Sequence, residues 1–253
     1  LAYGGVANEL KNSGNKKQGG SVLKITEDGV VFRSYRDGRK ILLTPESSIQ
    51  IQKSLGADII IPLDELPPYH ISEKDLLESF KRTHRWEIRS LNEHLKNPKN
   101  QAMYNVVHGG LDAELRKESV RILREHAFDG FAIGGSLGRN KEEMIAMLKD
   151  LVPEIPEEFP IHLLGIGDLP SLEEAIPLGI DTFDSSYPTK AARHGTLFTK
   201  DGPIKITKGI YKEDFGPVDE TCRCHLCKNY SRSYLNHLFQ CHEYTAHTLA
   251  SIH

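Results

Sequence analysis

Short hydrophobic runs alternate with polar segments along most of the chain, and their spacing predicts its elements. Three strand patterns between 22 and 43 are separated by Glu27-Asp28-Gly29 and Arg36-Asp37-Gly38. Asp-Gly pairs of this kind suit tight hairpins, so this region is predicted to be an antiparallel flap. Residues 1–20 are rich in Gly, Asn, Ser and Lys and are predicted to form a loop.

A different pattern begins after the flap. Thr44 and Pro45 predict a helix N-cap and first helical position, and Gly56 predicts the end of that helix. Five apolar runs then end on polar or glycine residues: Ile59 to Leu63 into Asp64, Met103 to Val107 into His108-Gly109-Gly110, Phe131 to Ile133 into Gly134-Gly135, Ile161 to Leu164 into Gly165, and Thr182-Phe183 into Asp184. Helical patterns follow the first four runs: Ser72 to Leu95, Asp112 to His126, Lys141 to Leu151 and Ser171 to Ile176.

Repeated strand-helix units predict parallel β-structure with right-handed crossovers. Five strands do not close an eight-stranded barrel. Spacing alone therefore leaves two architectures open, an open sheet or a barrel whose other strands precede Leu1.

Asp184 is the main candidate for chemistry. It follows a short buried-strand pattern and precedes a basic, Pro-containing loop. The C-terminal ends of parallel strands face the active site in barrels and open sheets, so a carboxylate there is placed for chemistry. The competing interpretation is an Asp that caps the next element.

The alternation stops after Asp184. A hairpin is predicted from Thr196–Thr199 and Ile204–Thr207, which flank Lys200-Asp201-Gly202-Pro203. One amphipathic helix is predicted from about Ser231 to the end of the chain. It carries four histidines: His237, His242, His247 and His253.

All four cysteines lie between Cys222 and Cys241, a clustering typical of a metal site rather than a disulfide framework. Cys222, Cys224 and Cys227 offer three thiolates, and one imidazole from the following helix would complete a closed, structural Cys3His zinc site. Spacing leaves the identity of the histidine open, with Cys241 as a competing fourth thiol. Buried reduced cysteines are the alternative.

Composition adds limits. With 253 residues, 38% hydrophobic residues and a mean hydropathy of −0.42, the chain is typical of a soluble globular protein with one large core. Its longest apolar run is far shorter than the roughly 20 residues that cross a bilayer, so a cytoplasmic protein is expected. The whole chain carries −3, yet residues 185–253 hold nine Lys or Arg against six Asp or Glu, which makes this segment the candidate for binding a polyanion.

Several motifs together resemble one family. They are Asp184-Ser-Ser-Tyr-Pro-Thr-Lys-Ala-Ala-Arg-His-Gly, Asp64-Glu65 at a strand end, His108-Gly-Gly-Leu, Phe131-Ala-Ile-Gly-Gly135, Leu164-Gly-Ile-Gly167 and the Cys-x-Cys-x-x-Cys cluster. In order and spacing they resemble the bacterial-type tRNA-guanine transglycosylases, or queuine tRNA-ribosyltransferases, from about Val22 onward.

The resemblance implies an α/β fold, a (β/α)8 TIM-type barrel, incomplete in this chain, with an inserted zinc-binding subdomain. The expected domains are 1–43, a loop and antiparallel flap; 44–195, the βα barrel units; and 196–253, the zinc-binding subdomain with its C-terminal helix. It also implies that a general acid/base Asp lies before Leu1, that a closing helix follows His253, and that His253 is the zinc ligand with Cys222, Cys224 and Cys227.

The implied reaction exchanges the wobble guanine in the anticodon of tRNAs for Asp, Asn, His and Tyr against a 7-deazaguanine base. Asp184 matches the nucleophile that attacks ribose C1′. A carboxylate suits an oxocarbenium-like transition state, as in retaining glycosidases. Asp64 matches the acceptor for guanine N1 and N2. Among matching positions, base-binding roles are also implied for His108, Gly134, Gly135, Ser136, Gly138 and Leu164.

Three of these positions depart from the family pattern. His108 stands where the family usually has Gln, and Ser136 replaces an aliphatic residue whose carbonyl is used. Gly138 stands where enzymes for 7-aminomethyl-7-deazaguanine have Val and queuine-using enzymes have Gly. The resemblance therefore favours queuine as the incoming base, while a glycine present for loop geometry is the alternative.

Lys190 and Arg193 match residues that hold the tRNA anticodon loop in the family. Five further basic residues extend this footprint or are ordinary surface: Lys200, Lys205, Lys208, Arg223 and Lys228. The family pairs through its zinc region, so a homodimer is expected. Two other classes compete with the enzyme: a non-catalytic tRNA-binding partner subunit and a zinc-stabilised RNA-binding module.

Overall fold

The computed structural model describes residues 22–68 and 70–253; the predicted loop over residues 1–20 lies outside this range. The chain forms two compact units. The first, here the sheet unit, contains the described residues up to Leu164 together with Pro170–Phe183. The second, here the C-terminal unit, contains Gly165–Leu169 and Asp184–His253. No helix in the described ranges is both long and apolar enough to cross a bilayer.

The sheet unit begins with the predicted flap. Its strands β1 (Val22–Ile25), β2 (Val30–Arg33) and β3 (Lys40–Leu43) pair antiparallel in the order β1-β2-β3. The first connection is a tight turn, because Thr26 and Gly29 exchange both backbone hydrogen bonds at 3.0 and 3.3 Å. The flap prediction is confirmed.

Helix α1 (Pro45–Leu55) also has the predicted ends. The Thr44 hydroxyl accepts from the Ser47 N–H at 3.1 Å, and the Ser47 hydroxyl accepts from the Thr44 N–H at 2.9 Å. Gly56 ends the helix with φ +73°, in the left-handed region that glycine adopts without strain.

Five parallel strands in sequential order form the centre of the sheet unit: β4 (Ile59–Ile60), β5 (Ala102–Val107), β6 (Gly130–Ile133), β7 (Ile161–Leu163) and β8 (Thr182–Phe183). Four helices form the crossovers: α2 (Glu73–Leu95), α3 (Ala113–Leu123), α4 (Lys141–Leu151) and α5 (Leu169–Ala175). This curled sheet is half of a (β/α)8-type barrel, which confirms the predicted fold class.

Strand β4 is shorter than the predicted run from Ile59 to Leu63. The Gln52 side chain of α1 takes both backbone groups of Ile61: Oε1 accepts from its N–H at 3.0 Å, and Nε2 donates to its carbonyl at 2.8 Å. Pairing with β5 therefore stops at Ile60. The chain then continues toward Asp64 outside the sheet ladder.

Two helix boundaries also differ from prediction. The helix predicted from Asp112 to His126 ends at Leu123, because the N–H groups of Glu125 and His126 bond three residues back and tighten the chain out of the helix. The helix predicted from Ser171 to Ile176 runs from Leu169 to Ala175, and a 3-10 turn follows.

The C-terminal unit contains α6 (Tyr187–Arg193), β9 (Thr196–Thr199), β10 (Gly202–Lys205), α7 (His225–Asn229), α8 (Arg232–Gln240) and α9 (Tyr244–Ile252). The second hairpin strand was predicted two residues too late. Thr199 pairs directly with Gly202, so Lys200-Asp201 alone forms the turn, and the Thr199 hydroxyl accepts from the Asp201 N–H at 3.3 Å.

The single C-terminal helix of the prediction is wrong, since the chain forms α8 and α9 with a break between them. His242 has φ +56°, and the Glu243 N–H returns to the Leu238 carbonyl at 2.9 Å. The break lets both helices join one apolar core. Its buried members are Ala192, Leu197, Ile206, Val218, Leu226, Leu235, Leu238, Ala246, Leu249 and Ala250.

Candidate functional site

Predicted site residues of the sheet unit lie at the C-terminal ends of its parallel strands. His108 directly follows β5, Gly134 directly follows β6 and Leu164 directly follows β7, while Asp64 ends the extended segment after β4. Parallel strands place these ends on one edge of the sheet. Asp184 directly follows β8 and belongs to the C-terminal unit.

Asp64 and His108 lie side by side at this edge. His108 Nε2 is 3.5 Å from Asp64 Oδ2, with side-chain exposures of 5% and 28% respectively. Burial raises the pKa of Asp64 and holds the pKa of His108 well below its usual range. A neutral imidazole and a partly exposed carboxylate thus lie within 3.5 Å of each other at this edge.

Glu87, which the sequence did not single out, lies on the other side of His108. Its side chain is fully buried on α2, with Oε1 3.7 Å from His108 Nε2. Oε2 accepts from the Val106 N–H of β5 at 3.1 Å, beyond the point where β4 stops pairing. The Glu87 carboxyl thus accepts from a backbone N–H of β5 that the short β4 does not reach. Burial raises the pKa of Glu87 well above its usual range.

Replacing Glu87 by Gln should make protein stability less dependent on pH. The folded wild type keeps the Glu87 proton at pH values where the unfolded chain releases it, so the contribution of Glu87 to the free energy of unfolding falls as pH rises above 4.5. The fall is about 1.4 kcal/mol per pH unit until the folded-state pKa is reached. Glutamine does not ionise, so the difference in favour of Glu87→Gln should grow with pH.

Urea unfolding at intervals from about pH 4.5 to 8 measures this difference. Glu78→Gln, on the exposed face of the same helix, is the matched control. A difference between Glu87→Gln and wild type that stays constant with pH would contradict a neutral, buried Glu87.

The His108 backbone is held by a chain of hydrogen bonds. Its N–H donates to the Ser119 Oγ of α3 at 3.0 Å. His84 Nδ1 donates to the Phe80 carbonyl at 2.7 Å, so its Nε2 accepts from the Ser119 hydroxyl at 2.9 Å. This chain fixes His108 from both α2 and α3.

Arg116 is a second site residue that sequence reasoning missed. It is 1% exposed and donates only to carbonyls: Nε to Gly110 at 2.7 Å, Nη1 to Val107 at 3.3 Å, and Nη2 to Gly134 and Ser136 at 3.0 Å. Burial lowers its pKa to about 10. The guanidinium therefore ties the loops after β5 and β6 together and fixes the direction of the Ser136 carbonyl.

The glycines of the β6 loop have structural reasons for their small size. A Cβ on Gly134 would meet Leu164 Cδ1 at 2.8 Å, so these two predicted residues pack together. Gly138 has φ +111°, and a Cβ there would meet Glu143 Cβ at 2.7 Å. The backbone thus requires glycine at 138, as the loop-geometry alternative holds.

Asp184 and the basic residues after it lie in the C-terminal unit. Asp184 is exposed, and its Oδ1 accepts from the Gly165 N–H at 3.0 Å. Lys190 and Arg193 are exposed on α6, the helix that begins three residues after Asp184. The carboxylate is accessible to a reactant, and two cations follow it on the next element.

The structure brings the predicted metal ligands together. One ligand atom from each of Cys222, Cys224, Cys227 and His253 lies within 4.8 Å of the others. His253 Nδ1 is 3.5 Å from Cys224 Sγ and 3.3 Å from Cys227 Sγ. This Cys3His cluster has the donor set and the spread that a metal ion requires.

The tautomer of His253 fits the same role. Its Nε2 donates to the Phe198 carbonyl at 2.8 Å, so Nδ1 carries the lone pair that faces the thiols. Cys241 is exposed and contacts His237, with 3.7 Å between the sulfur and the ring nitrogens. The alternative fourth thiol lies outside the cluster, and His253 is the histidine within it.

Comparison with known proteins supports the motif-based interpretation. Residues 7–253 match the family model described as queuine tRNA-ribosyltransferase. A protein of that name from Protochlamydia amoebophila is 63% identical over 253 residues, covering all of this chain and 65% of its own length. Namesakes from Chlamydia felis and Chlamydia trachomatis are 54% and 51% identical over 254 residues, again covering all of this chain and 68% of their lengths.

The chain thus spans about two thirds of the length of these relatives. The family match extends over nearly the whole chain, including the strand-end residues and the Cys3His cluster. The chain belongs to the queuine tRNA-ribosyltransferase family.

Proposed function

We propose that this chain carries the base-exchange site of a tRNA-guanine transglycosylase, which replaces the wobble guanine of tRNAs for Asp, Asn, His and Tyr. The observation that carries this proposal is the Asp64–His108 pair at the ends of neighbouring parallel strand segments, with 3.5 Å between His108 Nε2 and Asp64 Oδ2. An accessible carboxylate, Asp184, follows the last strand of the same sheet and supports a covalent step.

Asp184 is the proposed nucleophile. A carboxylate oxygen forms a bond to ribose C1′ while the bond from C1′ to guanine N9 breaks and its electron pair leaves with the base. A general acid, which the resemblance implies to be another Asp, protonates the departing guanine and in its ionised form later takes the N9 proton of the incoming base. The incoming base then attacks C1′, which releases Asp184.

Asp64 is the proposed acceptor for the N1–H and N2–H groups of guanine. A base without these donors would leave the partly buried Asp64 carboxylate unpaired, and that cost disfavours its binding. His108 and the Ser136 backbone complete the polar contacts, while Gly134, Gly135 and Leu164 border the pocket. Arg116 holds the Ser136 carbonyl in place by donating to it.

Lys190 and Arg193 are proposed to hold the anticodon loop, since their charges lie on the element that follows the nucleophile. The target guanosine would swing out of its base stack to reach Asp184.

The metal of the Cys3His cluster is proposed to be one structural Zn²⁺, because three thiolates and an imidazole suit tetrahedral zinc. We also propose a cytoplasmic homodimer, as the resemblance implies.

The test is incorporation of labelled guanine into unmodified tRNA. The protein assayed is a chimera in which this chain is joined to the flanking segments of the Protochlamydia amoebophila relative, and that relative is the positive control. Incorporation by the chimera is expected. If the zinc-loaded chimera binds tRNA without incorporating guanine, the chain is a tRNA-binding partner subunit instead.

Queuine is the proposed incoming base. The resemblance associates Gly138 with queuine, whereas the backbone at this position requires glycine whichever base is used, so the direct comparison of bases decides. We expect kcat/KM for queuine to exceed that for 7-aminomethyl-7-deazaguanine by about tenfold or more, the scale on which pocket size discriminates. Equal rates or a preference for the aminomethyl base would contradict this prediction.

A further inference from the structure

Two buried polar atoms face each other at the centre of the sheet-unit site. Glu87 Oε1 and His108 Nε2 are 3.7 Å apart, and neither has a hydrogen-bond partner among the described residues. Leaving both unpaired would carry the desolvation cost of two polar groups, and a hydrogen bond between them, which a shift of about 0.5 Å from the observed 3.7 Å would allow, removes it. A proton must lie between these atoms for that bond to form.

The surroundings favour a neutral pair over an ion pair. Glu87 is fully buried, and its other oxygen is used by the Val106 N–H. A charged Glu87–His108 pair would be buried with only that one additional hydrogen bond. Besides Glu87, three ionisable groups surround the imidazole: Asp64 at 3.5 Å, His84 with its ring centroid at 6.4 Å, and Arg116 from α3.

We propose that Glu87 is a positioning residue for His108: its protonated Oε1 donates to His108 Nε2 and holds the imidazole in the tautomer whose N–H is on Nδ1. Both groups are then uncharged, and no proton is gained or lost on pairing. The directions of the two pKa shifts agree, since burial raises the pKa of Glu87 and lowers the pKa of His108.

This arrangement has a consequence that rests on the proposed function. If His108 carried its proton on Nε2, it would donate to Asp64 Oδ2 and occupy the acceptor that guanine N1–H and N2–H require. With Nε2 held by Glu87, Asp64 keeps its lone pairs for the base. Glu87 thereby prevents a hydrogen bond between His108 and Asp64, and it does so without touching the substrate.

The direct test is ¹⁵N NMR of the zinc-loaded 253-residue chain labelled at histidine. The His108 signals are assigned by their loss in His108→Gln. In wild type we expect a neutral ring with its proton on Nδ1, and the same tautomer in Glu87→Gln, whose amide can donate to Nε2 and accept from the Val106 N–H. In Glu87→Ala, His108 should shift toward the Nε2–H form that free imidazole side chains prefer.

Wild-type His108 with its proton on Nε2, or charged at pH 7, would overturn the proposal, even if Glu87→Ala fails to fold. An unchanged tautomer in a folded Glu87→Ala would overturn it as well. Ser90→Ala is the matched control, because Ser90 is buried on the same helix and lacks a hydrogen-bond partner among the described residues. It should leave the His108 signals in place.

A kinetic arm uses the full-length chimera. Glu87→Ala is expected to raise KM for guanine about tenfold with kcat changed less than about threefold, whereas Glu87→Gln should stay within about threefold of wild type in both. If the chimera shows no exchange, the proposed function fails while the NMR result still decides the role of Glu87.

Discussion

Asp184→Asn is expected to lower base exchange by more than about a thousandfold, the largest effect of any single substitution in the chain. Asparagine keeps the size of the side chain but lacks the anionic oxygen that is proposed to form the ribosyl ester. The remaining rate would come from binding and orientation alone. Initial rates of labelled guanine incorporation by the chimera and by its Asp184→Asn form measure the loss.

A second readout separates chemistry from folding. Wild-type chimera incubated with tRNA should give a covalent adduct that survives denaturing electrophoresis, and Asp184→Asn should give none while binding tRNA within a fewfold of wild type. Asp201→Asn is the matched control, an exposed Asp in the β9–β10 turn of the same unit. An adduct that persists in Asp184→Asn would assign the nucleophile to another residue.

The elements that sequence predicted well are those set by neighbouring residues. Helix α4 has its predicted bounds, and its Asn140 side chain caps it by accepting from the Glu143 N–H. Strand β8 ends at Phe183 as its short apolar pattern indicated. Strand-end residues such as His108 could be identified because alternation of strand and helix places them all on one edge.

What sequence did not predict depends on contacts between distant segments. Glu87 is 19 residues from the Val106 N–H that it accepts from, and Arg116 reaches a carbonyl 20 residues away. In the sequence, both read as ordinary charged positions of amphipathic helices. The sequence held one signal for Glu87. It directly follows Trp86, a large apolar residue that is fully buried, so this turn of α2 lies against the core.

The break between α8 and α9 was missed for a related reason. His242 has no Pro or Gly beside it, so no local signal ended the predicted helix. The break is favoured by packing, because α9 contacts α6, α7 and α8. Through it, His253 reaches the thiols, so the path of the chain decides which histidine joins the cluster, a choice that spacing left open.

Loss of a proposed metal ligand should therefore destabilise the C-terminal unit. Cys224 and Cys227 pack against its apolar core, and His253 connects α9 to β9 through the Phe198 carbonyl. Zinc binding contributes about 10 kcal/mol or more to folding in comparable peptides. We expect Cys224→Ser to retain less than about a tenth of the bound zinc and to lower Tm by roughly 10 °C or more.

Cys241→Ser provides the matched control, because it removes a thiol from the same unit without touching the cluster. It should keep one zinc per chain and the wild-type Tm, and chelation of the wild type should reproduce the Cys224→Ser result. Atomic emission measures the zinc content of each variant, and thermal unfolding followed by circular dichroism measures its Tm. Equal zinc loss in the two variants would mean that Cys241 shares the site, whereas full zinc retention in Cys224→Ser would exclude Cys224 as a ligand. The cluster geometry predicts neither outcome, since Cys224 lies 3.5 Å from the His253 lone pair whereas Cys241 contacts His237 outside the cluster.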